Sequence, residues 1–238
     1  MPTEATPPPL IATIGLHGSA STWVFNVVRE LMIAAVGEDR VVTVYTDEMS
    51  HVPDAAGRHL VIKSHHGSVG LDDWLKAERA PIFLSVRDPR DACISMTRRF
   101  KAPLNNTVVW IANDCNRLLR LAAQGHLLLR YEDRFFDEKQ SVERLAHALG
   151  IRLESAVIDT IFARYRTDAV RSFAKSLGDL PPERIIMVGT HKMDKVTQIL
   201  GPHIGDAGSG KWYDLPIQAQ TELTRVFAPF LDRFGYPR

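Results

Sequence analysis

The residues most able to do chemistry in this chain stand directly after short apolar runs. The first group reads Gly15-Leu16-His17-Gly18-Ser19-Ala20-Ser21-Thr22-Trp23, and helical spacing starts at once behind it. Small side chains let backbone N–H groups approach an anion, and the N-terminus of the following helix adds partial positive charge. The loop therefore predicts a phosphate cradle. It lacks the Lys-Ser/Thr ending of a Walker loop, and a tight turn capped by Ser21 or Thr22 is the alternative.

The second group is Lys63-Ser64-His65-His66, at the end of another apolar run. Open parallel sheets bind ligands beyond the carboxyl ends of their strands. A histidine in that place can act as a general base near neutral pH. Lys63 beside it can neutralise negative charge that develops on an oxygen. The alternative is a polar strand end without a catalytic role.

The third group begins with Arg87, which ends a further apolar run, and includes Ser95 two turns into the next helix. Asp88 and Pro89 are typical of the N-cap and first position of that helix. A guanidinium fork and a hydroxyl together suit a phosphate monoester. A salt bridge from Arg87 to a nearby aspartate is the alternative interpretation.

Together, these three groups resemble the sulfotransferases that use 3′-phosphoadenosine 5′-phosphosulfate (PAPS). In that family a strand–loop–helix element ending in Thr-Trp holds the 5′-phosphosulfate, and residues 18–23 correspond to it. The resemblance implies that His65 is the catalytic base with Lys63 beside it. It also implies that Arg87 and Ser95, eight residues apart as in the family, hold the 3′-phosphate.

Three later segments extend the resemblance over most of the chain. The family has a Tyr-Glu-Asp segment, a Ser-Phe element whose ring packs near the adenine, and a closing Gly-x-x-Gly-x-Trp loop. Each aromatic residue in these segments can instead be an ordinary core residue. The corresponding stretches here are Tyr131-Glu132-Asp133, Ser172-Phe173 and Gly208-Ser209-Gly210-Lys211-Trp212.

The chain departs from the family pattern at two places. Many members have a lysine in the first loop that assists the leaving group, and Gly18 occupies that position here, next to His17. Members also commonly carry arginine in the closing loop, whereas residues 203–212 contain none and offer only Lys211, with His203 upstream. We hypothesise that His17 donates to the bridging oxygen in place of the missing lysine.

The implied reaction moves a sulfuryl group in line from PAPS to a hydroxyl-bearing acceptor and releases adenosine 3′,5′-bisphosphate (PAP). The scheme requires no metal, since His65 and His66 are adjacent and the other histidines show no ligand spacing. A P-loop nucleotide kinase that uses ATP and Mg²⁺ is the first alternative. A non-catalytic nucleotide-binding relative is the second.

The acceptor is expected to be chosen by loop-like residues of mixed polarity. We expect the acceptor group to be a hydroxyl of a carbohydrate or glycoconjugate. The candidate segments are residues 46–58, 66–80, 98–107 and 178–205, with Trp74, Phe100 and Trp110 as candidate contacts.

The elements that position these groups alternate between strand and helix, which indicates a parallel sheet covered on both faces. We predict an α/β three-layer sandwich with a central, mainly parallel five-stranded sheet and a P-loop-like element. Residues 1–9 are expected to be a flexible tail and residues 10–238 a single domain. Residues 178–214 show little regular pattern. The predicted strands cover 10–16, 41–45, 59–63, 81–86 and 127–131, and the main predicted helices 22–36, 71–78, 104–124, 137–149, 154–176 and 217–234.

Composition narrows the setting of the protein. A net charge of +1 over 238 residues implies no general attraction to nucleic acid or to an anionic membrane. The sequence contains no run of about 18 apolar residues, so no membrane span is predicted. The two cysteines, Cys93 and Cys115, favour a reducing compartment over a disulfide framework, so we expect a cytoplasmic protein. A second copy of the chain, as a homodimer, is left open as a partner.

Overall fold

Five parallel strands form the central sheet of the computed structural model, which describes residues 7–201 and 208–238. Helices cover both faces of this sheet, as predicted. The strands are β1 (Leu10–Gly15), β2 (Val41–Tyr45), β3 (His59–Ser64), β4 (Ile82–Val86) and β5 (Leu127–Arg130), and a separate hairpin has β6 (Ile185–Val188) and β7 (His191–Asp194). The α-helices are α1 (Ser21–Val36), α2 (Val69–Ala77), α3 (Pro89–Phe100), α4 (Leu104–Ala122), α5 (Lys139–Ala148), α6 (Ser155–Tyr165), α7 (Thr167–Lys175) and α8 (Ile217–Phe234).

Alternation along the buried strands creates two cores. Successive side chains of a strand point to opposite faces of the sheet. In β1, Ala12 and Ile14 pack with α2, α3, α4 and α8, whereas Ile11 packs with α1, α5 and α6. In β4, Leu84 joins the first core and Phe83 the second. The predicted three-layer architecture is therefore confirmed.

The strand order β2-β3-β1-β4-β5 puts the start of the chain in the middle of the sheet. After β1 and α1 the chain forms β2 and β3 on one side of β1, and it then crosses to form β4 and β5 on the other side. The carboxyl ends of β3, β1 and β4 consequently lie side by side, and open α/β sheets bind their ligands at such a switch point. The loops after these three strands contain the three groups of chemically active residues.

Residues 178–214 are more regular than the sequence predicts. The antiparallel strands β6 and β7 form a hairpin within this segment, so the expectation of little regular structure is wrong here. Gly189, with φ of +60°, supplies the left-handed residue that a tight two-residue turn needs. The second strand, His191–Asp194, is too polar to show the alternation of apolar and polar residues that predicts a strand, so the sequence did not reveal the hairpin.

Part of two sequence predictions falls outside the described residues. These are residues 1–6 of the predicted tail and His203 of the closing loop. Among the described residues just before β1, the carbonyl of Pro9 accepts a hydrogen bond from the Leu60 amide. None of the helices that the structure describes has both the length and the apolar character needed to cross a membrane.

Candidate active site

The loop after β1 turns through two left-handed residues before α1 begins. Gly18 has φ of +81° and Ala20, at the N-cap of α1, has φ of +61°. Ala20 provides no side-chain cap to the helix. The capped turn that the sequence offered as an alternative is thus not the local structure. Because a helix N-terminus presents N–H groups and partial positive charge, this loop is suited to hold an anion.

Ser19 fixes the loop from behind. Its hydroxyl is buried, donates to the Leu16 carbonyl over 2.7 Å and lies 2.8 Å from the Ser85 hydroxyl. Gly15 is required at this contact, because a Cβ there would come within 2.1 Å of Ser85 Oγ. Ser19 therefore anchors the loop against β4, and its side chain does not line the cavity that the loop borders.

That cavity, which we call the cradle cavity, has the polarity of an anion site. Its charged lining residues are Arg87, Arg99 and Lys211, and among the described residues no aspartate or glutamate lines it. Aromatic rings occupy part of the wall. The full lining consists of Gly18, Ala20, Ser21, Thr22, Trp23, Asn26, Arg87, Ser95, Arg99, Tyr131, Phe136, Tyr165, Thr167, Val170, Ile199 and Lys211.

Arg87 joins the first loop to the closing loop. Its guanidinium donates to the Gly18 carbonyl at 3.1 Å and to the Gly208 carbonyl at 2.8 Å, and it lies 4.2 Å from the centre of the Tyr131 ring. Asp91 is 3.7 Å away. Both interpretations of Arg87 from the sequence therefore have a structural counterpart, since it lines the cavity and also pairs with an aspartate.

Asp91 holds the closing loop in place, and sequence reasoning did not single it out. Its carboxylate accepts hydrogen bonds from the amides of Gly210, at 2.6 Å, and Trp212, at 3.1 Å. The buried Trp212 ring lies under the guanidinium of Arg90, 3.6 Å from it. The only sequence signal for Asp91 is its i,i+4 spacing from Arg87 on one helix face.

Arg99 is a second residue that sequence reasoning missed. It follows Ser95 by one turn of α3, so both side chains share a helix face and both line the cradle cavity. Burial, and then the positive charge of Arg87, lowers the pKa of Arg99 to about 10. Ser95 Oγ and Arg87 Nη1 stand 3.8 and 3.9 Å from the position that a Cβ of Gly18 would take.

Lys63 lies at the end of β3 and points to the start of α1. Its ammonium donates to Thr22 Oγ1 at 2.8 Å. Burial, and then the charge of Arg99, lowers the pKa of Lys63 to about 7. The structure therefore brings Lys63 to the cradle loop, where it can contact an anion that the loop holds.

His65 is held in one tautomer by the backbone. Its Nδ1 donates to the Gly15 carbonyl, which can only accept, so Nε2 carries the lone pair. Burial, with the positive charges of His17 and Lys63, holds the pKa of His65 well below its usual value. A neutral imidazole with an available Nε2 is the form that a general base requires.

Asp47 fixes the loop that carries His65. Its Oδ1 accepts hydrogen bonds from Ser64 Oγ and the His65 amide, both at 2.7 Å, and from the Gly67 amide at 3.2 Å. Burial would raise the pKa of Asp47, but these hydrogen bonds lower it to about 2. Asp47 is therefore an anion that stabilises the turn after β3.

Arg117 clamps the same loop from the other side. The buried guanidinium donates to Ser64 Oγ at 2.6 Å and to the His65 carbonyl at 3.1 Å, and it binds Asp72. At Gly67, with φ of +36°, a Cβ would lie 2.0 Å from this guanidinium. Only glycine fits there, so the turn that positions His65 depends on long-range contacts with α2 and α4.

His17, His65, His66 and Asp114 form a group that we call the histidine cluster. The rings of His17 and His65 stack with their centres 3.8 Å apart. Asp114, fully buried on α4, accepts from the His17 amide at 2.8 Å and from His17 Nδ1 at 2.7 Å. Burial would raise the pKa of Asp114, but the charge and hydrogen bonds of His17 hold it well below the usual range.

Three of the predicted nucleotide-binding residues, Ser172, Phe173 and Ser209, do not line the cradle cavity. Ser172 is exposed and Phe173 half-buried on α7, and neither lines the cradle cavity, whereas Thr167 and Val170 of that helix do. Ser209 is exposed between Gly208 and Gly210.

Of three comparisons with known proteins, the one with solved structures identifies the fold. No protein-family model matches the chain, and no curated protein matches it. Mouse sulfotransferase SULT7A1 complexed with PAP superposes with a TM-score of 0.67 at 12% identity, over 95% of this chain and 86% of that one. The structure of retinol dehydratase with retinol and PAP superposes with a TM-score of 0.57 at 12% identity. The structure of retinol dehydratase with androsterone and PAP superposes with a TM-score of 0.62 at 13% identity. Each of these covers 96% of this chain and 82% of that chain. This chain has the sulfotransferase fold.

Proposed function

We propose that this chain transfers a sulfuryl group from PAPS to a hydroxyl-bearing acceptor and releases PAP. The observation that carries the proposal is the pairing of two features at one sheet edge. The cradle cavity offers cations and hydroxyls without a carboxylate among its described lining residues, and His65 stands beside it as a neutral base. Solved proteins of the same fold hold PAP, which supports this choice of nucleotide.

Arg87, Ser95 and Arg99 are proposed to hold the 3′-phosphate. A phosphate monoester is close to a dianion at neutral pH, and Asp91 offsets part of the charge of Arg87 at 3.7 Å. A second guanidinium is therefore needed nearby, and Arg99 lines the same wall. This assignment gives Arg99 the role that the missing arginine of the closing loop has in the family.

The other end of the nucleotide is assigned to the cradle loop. The backbone of residues 18–22 and the ammonium of Lys63 are proposed to hold the 5′-phosphosulfate, which when bound supplies an activated sulfuryl group. The adenine is proposed to contact the aromatic residues of the cavity wall, which are Trp23, Tyr131, Phe136 and Tyr165. The adenine role proposed for Ser172 and Phe173 rests on the family resemblance alone. Gly208, Ser209, Gly210 and Lys211 are proposed to close the site, and Lys211 lines the cradle cavity.

His65 is proposed to accept the proton of the acceptor hydroxyl at Nε2 while the acceptor oxygen bonds to sulfur. The Nδ1–H bond to the Gly15 carbonyl keeps the ring in place and stabilises the positive charge that it gains. The bond between sulfur and the bridging oxygen breaks in the same step, and the electron pair leaves on PAP. No metal ion is required for this proton transfer.

Lys63 and His17 are the groups proposed to meet charge on the bridging oxygen. Lys63 lies against the first turn of α1 through Thr22. His17 stands in the loop itself and donates from Nδ1 to Asp114. For this role the ring must be doubly protonated, because only then does Nε2 carry an N–H that can donate to the bridging oxygen. Loss of one preorganised donor of this kind typically costs about 3–4 kcal/mol.

We propose a carbohydrate or glycoconjugate as the acceptor. The surroundings of His65 away from the cradle cavity are polar and aromatic: the exposed Tyr45 ring lies 5.9 Å from His65, and His66 is half-exposed. Trp110 lies one turn before Asp114 on α4 and is partly exposed. An apolar acceptor calls for a mostly apolar pocket. The two free cysteines are consistent with the proposed cytoplasmic setting.

Thermal shift against two nucleotides tests the donor. PAP is expected to raise the melting temperature in a concentration-dependent way, because a ligand that binds only the folded state stabilises it. ATP with Mg²⁺ is expected to have little effect. Stabilisation by ATP–Mg²⁺ and not by PAP would overturn the proposal in favour of a nucleotide kinase.

Labelled PAPS with a panel of sugars, phenols and steroids tests the transfer itself. Label is expected to move to a sugar hydroxyl. Transfer to phenols or steroids alone would contradict the carbohydrate preference and leave sulfuryl transfer standing. Tight PAP binding without transfer to any of the three classes would favour the non-catalytic relative.

A further inference from the structure

Three metal-ligating side chains from separate parts of the chain meet beside the proposed base. His17 follows β1, His66 follows β3, and Asp114 comes from α4. One ligand atom from each lies within 4.8 Å of the other two. The sequence gives no hint of this grouping, because about fifty residues separate each member from the next.

The contact between His66 and Asp114 is unusual for an ion pair. His66 Nδ1 lies 2.8 Å from Asp114 Oδ1, yet neither buried atom makes a hydrogen bond to any described residue. The two atoms are close but out of line for an N–H···O bond. Two buried lone-pair donors that face each other in this way can be satisfied together by a cation.

The charge around Asp114 also favours a cation. Its carboxylate is fully buried, and its negative charge must be compensated there. Arg117, one turn further along α4, directs its guanidinium to Asp72, Ser64 and the His65 carbonyl. The groups paired with Asp114 are the imidazoles of His17 and His66, both of which are metal ligands. The side chains of His17 and His66 are 21% and 40% exposed, so an ion can reach the group from solvent.

We propose that His17, His66 and Asp114 bind one divalent transition-metal ion of the zinc or cobalt type. Two imidazole nitrogens and one carboxylate are a ligand set that suits such ions and leaves positions open for water or an acceptor oxygen. This site goes beyond the proposed sulfuryl transfer, whose proton step does not use it. A metal on Nδ1 of His17 leaves the ring proton on Nε2, which makes His17 a fixed hydrogen-bond donor beside His65.

Cobalt binding to the chelator-treated protein tests the site. Titration with Co²⁺ is expected to produce visible absorption bands of a nitrogen- and oxygen-ligated ion at one ion per chain, with Zn²⁺ displacing it. His66→Ala is expected to weaken Co²⁺ binding at least tenfold, and Asp114→Asn likewise. His51→Ala, which removes an exposed surface imidazole, is expected to leave binding unchanged.

Two results would overturn the proposal. One is the absence of stoichiometric Co²⁺ binding, which would make the group a plain histidine–aspartate ion-pair network. The other is binding that His66→Ala leaves intact, which would place the ion elsewhere. If Asp114→Asn fails to fold, His66→Ala decides alone. PAP binding is measured on the same metal-free protein, so failure of the proposed function is seen separately.

Discussion

The cradle cavity and the histidine cluster lie at the same sheet edge but are built differently. The cradle cavity takes most of its anion-binding groups from two short segments, residues 18–23 and 87–99, which follow β1 and β4 and run into helices, and it adds Lys211 from the closing loop. The histidine cluster draws its members from the loops after β1 and β3 and from α4. The first region is therefore legible in local sequence, and the second exists only after folding.

Burial affects the two regions in different ways. The cradle cavity has cations close together without a carboxylate among its described lining residues, and burial lowers the pKa values of Arg99 in its wall and of Lys63 beside its loop. In the histidine cluster, the buried Asp114 is surrounded by imidazoles and its pKa is lowered too, which for an acid means that it stays charged. The positive charge of the cradle cavity is therefore suited to binding an anion, whereas the histidine cluster already contains an anion, the Asp114 carboxylate.

His65→Ala is expected to have the largest effect, because it removes the group where the two regions meet. We expect transfer from labelled PAPS to fall by about 10²- to 10⁴-fold, the usual contribution of a general base. PAP affinity should change little, since His65 does not line the cradle cavity. The measurement is single-turnover transfer, with calorimetry for PAP.

His17→Ala is the companion variant for this prediction. If His17 meets the bridging oxygen, transfer should fall by about 10²-fold, less than in His65→Ala. Turnover at the wild-type rate in His17→Ala would exclude that role and leave His65 as the sole catalytic histidine.

Arg99→Met tests whether Arg99 binds the 3′-phosphate in the cradle cavity. A hydrogen bond to a charged group is worth about 1.5–3 kcal/mol, so we expect PAP to bind at least about tenfold more weakly. Adenosine 5′-phosphate, which lacks the 3′-phosphate, should bind with unchanged affinity. Calorimetry with both nucleotides measures the difference.

Arg98→Met is the matched control, since Arg98 is the exposed neighbour on the same helix. It should bind both nucleotides like the wild type. Equal weakening of both nucleotides in Arg99→Met would place Arg99 at the 5′ end, against the assignment made here.

The fold and the cradle were largely predictable, because the continuous apolar runs of buried strands and the chemistry of the loops that follow them are local features of the sequence. The helix that Asp88 and Pro89 open is confirmed, with Asp88 accepting from the Arg90 amide. Ser19 illustrates the limit: its position in the loop was legible, but the direction of its side chain depends on Ser85, 66 residues away.

The support of His65 was not predictable for the same reason. Asp47 and Arg117 hold the loop after β3 from two sides, and neither belongs to a motif around His65. Asp114 is a polar residue in a helix that otherwise reads as amphipathic. Only the packing of α4 against the sheet edge shows that its carboxylate faces histidines rather than water.

Lys63 stands between the two regions, and its burial gives the smallest effect that we predict. Its pKa is about 7 in the folded chain against 10.5 for an ordinary lysine, so between these values the unfolded chain binds more protons. The free energy of unfolding of the wild type should therefore rise with pH across this window. Lys63→Met lacks this dependence, so its stability advantage over the wild type should shrink by about 1 kcal/mol from pH 7 to pH 8. Urea denaturation of both proteins at the two pH values measures it. A difference that stays constant with pH would mean that Lys63 keeps its charge when folded, next to the cations of the cradle cavity and without an anion bound.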